Sequence, residues 1–214
     1  MHWEFENGFF VLKGSNKFDV RVSTRLTPPN LIPDYVGLRQ IHSANIHIIE
    51  SVNDIPDGDK EGDGLITTVR NLTIGVRTAD CYPVFIMDER REIAGVLHAG
   101  WRGSYKGIVK KGISILLDKF GSSKEDIRVA FGPGICGKCY TVGRDMLDYF
   151  PLQFFNRYEE RLTLDILAYN VHLLRSMGID NIVNPPACTY EDGRLYSYRK
   201  NRDRSRLIST IRIL

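Results

Sequence analysis

Short apolar runs rich in valine, isoleucine and phenylalanine, separated by polar turn segments, fill the first two-thirds of the chain. Runs of this length and composition predict β-strands. Glycine-containing turns separate some of the runs, because glycine supplies backbone angles that other residues resist. The pattern places turns at residues 56–59 and 61–64, and strands at residues 18–23, 38–42, 45–50, 72–77, 83–87 and 92–98.

Helical spacing of apolar residues begins after this region. It predicts one helix over residues 104–120 and a second over residues 163–177, each followed directly by a glycine. Strands are expected at residues 182–184 and 207–214. No internal repeat or low-complexity linker divides the chain. Residues 1–214 are therefore expected to form a single α+β domain of mixed β-sheets with flanking helices.

The composition is that of an ordinary globular protein with a packed core, with 43% hydrophobic and 26% charged residues in a chain of 214. The net charge of +3 is mild, and basic residues are dispersed up to residues 199–206, so nucleic acid is not an expected partner. The first residues lack a basic segment followed by a long apolar run. We expect neither a signal peptide nor a membrane anchor, and a cytoplasmic location. The oligomeric state is left open.

Cys81 lies where one predicted strand ends and Pro83 opens the next. A free cysteine is most often a small buried side chain, and this segment alone favours that interpretation. Two histidines change this interpretation of Cys81, because His98 and His42 each end another predicted strand. His47 instead alternates with isoleucines and is expected on the solvent face of its strand. Two imidazoles and one thiolate would give a zinc ion three protein ligands and an open fourth position, as in catalytic zinc sites.

The segment after His98, residues 99–103, is rich in small residues and leads into the first predicted helix. Small residues let the backbone approach a ligand closely, and the N–H groups at a helix start attract anions. Arg102 would reinforce that attraction. The alternative is a helix cap at Ser104 beside incidental basic residues, and the two interpretations are equally supported.

Cys136 and Cys139, separated by two residues, indicate a competing zinc-binding or redox pair. The sequence contains no second pair of cysteines at this spacing. The preceding Gly-Pro-Gly segment, residues 132–134, is expected to form a tight loop that brings backbone near the pocket.

Several segments together resemble one known family. They are Gln-Ile-His at residues 40–42, Glu-Gly-Asp-Gly-Leu-Ile-Thr at 61–67, Arg-Thr-Ala-Asp-Cys-Tyr-Pro at 77–83 and His-Ala-Gly-Trp-Arg-Gly at 98–103. Further matches follow in order at residues 132–135, 139–140, 142–143, 188–190, 197–199 and 206. The chain resembles the YfiH-type purine nucleoside phosphorylase family, also named the polyphenol oxidase or laccase-domain family and, for some bacterial members, peptidoglycan editing factor. The matches cover nearly the whole chain.

The resemblance implies a function and a metal site. It implies phosphorolysis of adenosine, inosine or related nucleosides to base and ribose 1-phosphate, with adenosine deamination sometimes in the same pocket. His42, Cys81 and His98 match the family's metal-binding triad, for which we expect Zn²⁺ in preference to copper. Arg25, in Ser-Thr-Arg at residues 23–25, matches an arginine implicated in activity.

Candidate roles follow from these matches. The expected ligands are a purine nucleoside and phosphate; the catalytic candidates are Arg25, Cys81 and Asp80, and the substrate-binding candidates are Arg25, Arg102, Asp63 and Arg199. Arg25 and the helix start at Arg102 are expected to hold phosphate, because guanidinium pairs with it bidentately. Asp80 would orient a ligand or shuttle a proton, or would only cap its turn.

The chain departs from the family pattern in three places. The glycine-rich segment after residues 23–25 is absent, Thr141 stands in place of glutamate, and Asn-Arg at residues 201–202 replaces Asp-Gly. These departures bear on the pocket wall and on substrate preference.

Two other functions stay open. Cys81 activated by His98 would make a hydrolase that acts on cell-wall peptide precursors. A module that binds nucleosides without converting them is the non-catalytic alternative. A copper laccase is disfavoured, because its blue and trinuclear centres need more imidazoles than the five histidines of this chain provide.

Overall fold

Strand β7 (Tyr82–Asp88) is buried along its whole length and lies at the centre of the computed structural model, which describes residues 1–158, 160–202 and 204–214. Its side chains alternate between two apolar cores. Phe85 and Met87 pack with residues of a five-stranded sheet, and Val84 and Ile86 pack with residues of the helices. A strand covered on both faces has no polar alternation, which explains its continuous apolar sequence. The three layers confirm the predicted α+β class.

Thirteen strands lie in the part of the chain that the structure describes. They are β1 (His2–Glu6), β2 (Phe9–Lys13), β3 (Phe18–Ser23), β4 (Ile46–Ile49), β5 (Gly64–Thr67), β6 (Thr73–Thr78), β7, β8 (Ile93–Ala99), β9 (Ile127–Phe131), β10 (Phe155–Tyr158), β11 (Arg161–Leu164), β12 (Ile182–Val183) and β13 (Leu207–Ile213). One sheet has the order β1-β2-β3-β13-β6 and the other β12-β9-β7-β8-β5-β4, while β10 and β11 form a separate hairpin. Parallel pairing joins β4 to β5 and β12 to β9.

Four α-helices complete the described fold. They are α1 (Trp101–Tyr105), α2 (Ile108–Ser114), α3 (Ile166–Ser176) and α4 (Tyr198–Asn201). A π-helical turn (Ile115–Lys119) continues α2, and short 3₁₀ turns lie at Pro29–Leu31, Val52–Asp54, Arg144–Asp148 and Leu152–Phe154. Helices α2 and α3 cover the outer face of the six-stranded sheet. None of the helices in the described ranges is both long enough and apolar enough to cross a lipid bilayer.

The first predicted helix is interrupted. Gly107 has a φ of +76°, a left-handed conformation that residues with a side chain resist, and it separates α1 from α2. Helix α1 begins at Trp101 and has only five residues, so the expected start at Ser104 was wrong. Ser104 is buried inside α1, where its hydroxyl accepts a hydrogen bond at 2.9 Å from Nδ2 of Asn170 on α3.

The predicted strand at residues 38–42 was also wrong. The backbone there is irregular, and His42 has a φ of +57°, which a strand does not permit. The N–H groups of Ile41 and His42 donate to the side chain of Asp63 instead of to a neighbouring strand. Earlier in the segment Arg39 forms only an isolated parallel β-bridge with Glu61, so a carboxylate and one bridge replace a continuous sheet ladder.

Some elements have signals that the apolar pattern did not include. Strands β1 and β2 are joined by Asn7 and Gly8, both with positive φ, and an Asn-Gly pair is a strong hairpin signal. Helix α3 begins at Ile166 and not at residue 163, because β11 precedes it and the Asp165 carboxylate caps it by accepting from the Ala168 N–H at 2.8 Å.

We expect Ile86→Ala to lower the free energy of unfolding by about 2–5 kcal/mol, because it opens a cavity in the core between β7 and α2. Ile86 has no exposed surface. Urea unfolding followed by circular dichroism measures the change. Val52→Ala, at a side chain 68% exposed, is the matched control and should change stability by no more than about 0.5 kcal/mol. Equal effects of the two changes would contradict this account of the core.

Candidate active site

Two histidines and one cysteine meet at one end of the six-stranded sheet. Tyr82 at the start of β7 pairs with Ala99 at the end of β8 in antiparallel register, so Cys81, directly before β7, is a diagonal neighbour of His98 on the same face. His42 reaches the same point from the irregular segment before β4. The ligand atoms of His42, Cys81 and His98 all lie within 4.8 Å of one another, and the two imidazole centroids are 4.8 Å apart. This arrangement can hold one metal ion.

The carboxylate of Asp63 lies fully buried behind the triad. Oδ1 accepts hydrogen bonds from Nδ1 of His98 at 2.8 Å and from the N–H of His42 at 3.0 Å, and Oδ2 accepts from the N–H and hydroxyl of Ser43 at 2.6 and 2.7 Å. Because an ionised carboxylate only accepts, Nδ1 of His98 carries the proton and Nε2 is left for Cys81 or a metal. Asp63, which was predicted to bind substrate, thus contacts His98 and the 42–43 backbone, and it is not among the residues that line the cavity in front of the triad.

The three buried groups shift one another's pKa values. Burial opposes ionisation of Asp63, but hydrogen bonds from His98 and Ser43 hold its pKa at about 2. Burial also opposes ionisation of Cys81, yet the charge of His98 and hydrogen bonds from both histidines lower its pKa to about 6. Burial would lower the pKa of His98, but the Cys81 thiolate and Asp63 raise it to about 9. Cys81 therefore favours the thiolate, which is the form that binds metals or acts as a nucleophile.

Two residues with unusual backbone angles and one glycine surround the triad. His42 and Asp80 have φ values of +57° and +82°, in the left-handed region that costs a residue with a side chain about 1–3 kcal/mol. Gly100 is required for a different reason, because a Cβ there would lie 2.7 Å from the sulfur of Cys81 and 3.4 Å from His42 Cδ2. The absence of a side chain at Gly100 therefore keeps the space in front of the triad open.

Asp80 is held by two distant segments. Its Oδ1 accepts from the hydroxyl of Thr189 at 2.7 Å, and its Oδ2 accepts from the N–H of Arg199 at 2.7 Å. Its carbonyl accepts from the N–H of Ile135 at 2.8 Å. These contacts fix the turn that presents Cys81, so the structure gives Asp80 an anchoring role.

A cavity of 560 Å³ opens in front of the triad. Its lining residues are Gln40, His42, Arg77, Ala79, Asp80, Cys81, His98, Tyr140, Tyr198, Arg199, Arg204 and Arg206. Among these described residues the only carboxylate is Asp80, whose two oxygens already accept hydrogen bonds. Four guanidinium groups therefore give the cavity a positive potential that attracts anions.

Arg25 and Arg102 lie outside the residues that line this cavity. Arg25 stacks on the ring of Tyr196 at 4.4 Å and donates through Nε to the carbonyl of Leu195 at 2.9 Å, so it holds the segment that leads to α4. Arg102 is exposed in the first turn of α1 and stacks on Trp101 at 4.2 Å. Its positive charge helps to lower the pKa of Tyr140, although burial dominates and raises that pKa to about 12.

Sequence reasoning missed several residues of the cavity. Tyr140 belongs to a segment that matches the family, but no role in the site was predicted for it. It lines the cavity, and the guanidinium of Arg199 lies 5.2 Å from the centroid of its ring. Arg77 faces the cavity from the end of β6, where Gln40 exchanges two hydrogen bonds with its backbone at 2.8 and 2.9 Å. The cluster of basic residues near the C-terminus was the available signal for the remaining arginines.

Comparisons with known proteins show which family the chain is similar to. The family described as multi-copper polyphenol oxidoreductase laccase matches residues 21–214. A purine nucleoside phosphorylase from Aquifex aeolicus is 36% identical over 154 residues, which cover 72% of this chain and 72% of that protein. An adenosine deaminase named RL5, from an unknown prokaryotic organism, is 32% identical over 174 residues, 74% of this chain and 66% of its own.

Solved structures share the fold. The Bacillus licheniformis hypothetical protein YfiH superimposes with a TM-score of 0.88 at 25% identity and covers 99% of both chains. YlmD from Geobacillus stearothermophilus gives 0.87 at 21% identity, covering 99% of this chain and 98% of its own, and supports the fold alone. Fold and site thus define an α+β protein with a Cys-His-His set of candidate metal ligands. The chain belongs to the YfiH-type, laccase-domain family, as the sequence resemblance predicted.

We expect Asp63→Asn to destabilise the fold at pH 7 by about 3–5 kcal/mol, because it leaves donors around a buried position without their anion. The folded pKa of Asp63 is lowered, so its stabilisation is present above the ordinary aspartate pKa of about 4. It is lost as pH falls through about 2. Urea unfolding between about pH 4 and about pH 2 should show the free energies of unfolding of the parent and the variant converging. Ser43→Ala, which removes one hydroxyl donor, should cost only about 1 kcal/mol. A pH-independent difference between parent and Asp63→Asn would contradict the assignment.

Proposed function

We propose that this chain is a zinc-dependent purine nucleoside phosphorylase that acts on adenosine-type and inosine-type nucleosides. The observation that carries the proposal is the meeting, in one cavity, of a three-residue metal-ligand set and four arginines. Phosphorolysis requires a phosphate bound beside a nucleoside, and arginine side chains can bind that phosphate. Hydrolysis by a single thiol does not require four cationic groups. The names of the relatives from Aquifex aeolicus and from the unknown prokaryote support the choice of a nucleoside substrate.

The residues His42, Cys81 and His98 would hold the zinc ion. They fit it in three ways: two imidazoles and a thiolate suit zinc, the ligand atoms lie close enough together, and the Asp63 bond to His98 leaves Nε2 for a metal. Zinc in a three-ligand site supplies Lewis acidity at its open coordination position. A set of copper centres fits poorly, because the candidate metal-ligand groups in the described ranges contain only two histidines.

The four cavity arginines, Arg77, Arg199, Arg204 and Arg206, are proposed to bind phosphate. Their planar guanidinium groups can bond to phosphate oxygens in pairs. In the reaction, a phosphate oxygen forms a bond to C1′ of the ribose while the bond from C1′ to the purine nitrogen breaks. The purine nitrogen takes up the proton that hydrogen phosphate loses, and ribose 1-phosphate remains.

Tyr140 and Tyr198 are proposed to contact the purine, because aromatic rings that line a cavity bind flat bases by stacking. Arg25 would act through the segment of Leu195 and Tyr196, which leads to α4 and Arg199. Asp80 would keep the turn of Cys81 in place. Arg102 would add positive charge at the rim of the cavity, next to Tyr140.

A second candidate function rests on one observation. Cys81, His98 and Asp63 form a chain of hydrogen bonds, and the pKa of Cys81 is lowered, which is the arrangement of a cysteine nucleophile with its base. In that case the protein would hydrolyse cell-wall precursor peptides through Cys81 without a metal. Adenosine deamination in the same cavity is the other reaction that the relatives' names support.

Incubation of the protein with adenosine, with and without phosphate, is expected to yield adenine and ribose 1-phosphate only when phosphate is present. Chromatography separates these products from inosine, which would instead indicate deamination. Chelator treatment of the parent should abolish turnover, and the Cys81→Ala/His98→Ala variant should be inactive without treatment. Added zinc should restore turnover in the treated parent and not in the variant. Failure to convert any nucleoside, together with metal-independent cleavage of a cell-wall precursor peptide, would replace this proposal with the hydrolase. Binding of nucleosides without conversion would support a binding module.

Arg199→Ala and Arg77→Ala are expected to raise the KM for phosphate by about ten- to a hundred-fold, because each removes charged hydrogen bonds to its oxygens. The KM for adenosine should change less, and zinc content should not change. Arg199→Lys, which retains charge but not the bidentate geometry, should give an intermediate value. Arg175→Ala, at an exposed position on α3, is the matched control. An unaltered KM for phosphate in both cavity variants would remove the arginines from the phosphate site.

A further inference from the structure

A second group of metal-binding side chains lies outside the triad. Its members are Cys136, Cys139, Cys188 and Glu191, and one ligand atom from each lies within 4.8 Å of the others. The first two come from the turn after β9, and the last two come from a turn between β12 and α4. All three cysteines are free thiols in the structure. Three thiols and one carboxylate around one point make a full set of four ligands.

The two turns present their side chains in the same way. Each supplies two ligands separated by two residues, Cys-Gly-Lys-Cys in one and Cys-Thr-Tyr-Glu in the other. In the first turn the N–H of Cys139 donates to the carbonyl of Cys136 at 2.9 Å, and in the second the N–H of Glu191 donates to the carbonyl of Cys188 at 3.2 Å. Such turns aim both of their side chains to one side, which is the usual arrangement in structural zinc sites.

Backbone contacts hold the two turns against each other. Gly134 and Cys188 form a parallel β-bridge, and the N–H of Thr189 donates to the carbonyl of Gly134 at 3.0 Å. The N–H of Cys136 points to the sulfur of Cys188 at 3.2 Å. N–H donors directed at sulfur stabilise thiolates in metal sites. The juxtaposition of the thiols is therefore built into the backbone and does not depend on long flexible side chains.

The chemistry of the four groups selects the ion. Thiolates favour zinc over calcium, magnesium or manganese, and a tetrahedral zinc with bonds to sulfur of about 2.3 Å places its sulfurs about 3.8 Å apart. The 4.8 Å limit on the ligand atoms accommodates that spacing. A disulfide would use only two of the three thiols. The Glu191 carboxylate, which is paired with Lys138 at 2.8 Å, lies on the exposed side of the cluster and would be the fourth ligand.

We propose that Cys136, Cys139, Cys188 and Glu191 form a second zinc site, with a structural role. With four protein ligands the site is closed, in contrast to the open triad. It would join the two turns that hold Asp80, because Ile135 donates to the Asp80 carbonyl at 2.8 Å and Thr189 donates to its carboxylate at 2.7 Å. Tyr140, directly after Cys139, lines the cavity of the triad. The second zinc would therefore stabilise one wall of the candidate active site without contacting the substrate.

Cobalt spectroscopy of the Cys81→Ala variant tests the proposal. The chain has four cysteines, so removal of Cys81 leaves only the three thiols of the proposed site. Metal-free Cys81→Ala protein, kept reduced and titrated with Co²⁺ alone, is expected to show strong thiolate-to-cobalt charge-transfer absorption and tetrahedral cobalt bands, which excess zinc then abolishes. Absence of these bands would overturn the proposal. Formation of a disulfide among the three thiols under reducing conditions, detected by mass spectrometry after alkylation, would also overturn it.

Metal content separates the second site from the triad. Elemental analysis of protein prepared without chelator should find two zinc ions per chain in the parent and one in Cys81→Ala/His98→Ala. Glu191→Gln, which keeps all three thiols, should bind the second zinc at least about ten-fold more weakly in a chelator competition. Glu125→Gln, at another exposed carboxylate, should bind as the parent does. Equal zinc affinity in Glu191→Gln and the parent would remove Glu191 from the site, and a zinc-free Cys81→Ala/His98→Ala variant would reject the site. None of these outcomes depends on nucleoside turnover.

Discussion

The buried carboxylate of Asp63 is the interaction on which the geometry of the candidate active site depends. A charge removed from water is stable only where donors surround it. Here the donors are the ring of His98 on β8 and the backbone of His42 and Ser43 on an irregular segment. One carboxylate thus fixes the ring of one candidate ligand and the main chain of another. The electrostatic cost of burying Asp63 is met only when both segments occupy the positions that the triad requires.

How well the sequence predicts the fold depends on where each segment's hydrogen bonds go. Residues 83–87 and 92–98 were predicted correctly as strands, because strands covered on both faces consist of nearly continuous apolar residues. Residues 38–42 also contain apolar side chains, but the N–H groups of Ile41 and His42 bond to a carboxylate more than twenty positions away. Apolar patterning contains no information on such a partner, so the same reasoning failed there. The break in the first helix depended on a single glycine, Gly107, in a left-handed conformation.

The site was predictable to a similar, limited degree. Motifs at the ends of predicted strands singled out the three members of the triad, and the structure brings these side chains together. The family resemblance placed Asp63 among the substrate-binding candidates, but a short sequence motif does not reveal whether a carboxylate points outward or into the protein, and here it is fully buried. Cys188 was not linked to the Cys-Gly-Lys-Cys segment, since 52 residues separate it from Cys136 and only the sheet topology brings the two together. Contacts between distant segments are set by tertiary structure and leave no local pattern.

The different supports of the three triad members have a consequence for metal exchange. Cys81 directly precedes β7 and His98 lies on the adjacent strand β8, whereas His42 stands on irregular, exposed backbone with a positive φ. With a zinc ion bound as proposed, two strands would hold Cys81 and His98, and the position of His42 would depend on the hydrogen bond from its N–H to Asp63. Local opening of the His42 segment would then remove one ligand while the other two stay in place. Retention of the metal would therefore depend on the order of a short, irregular backbone segment.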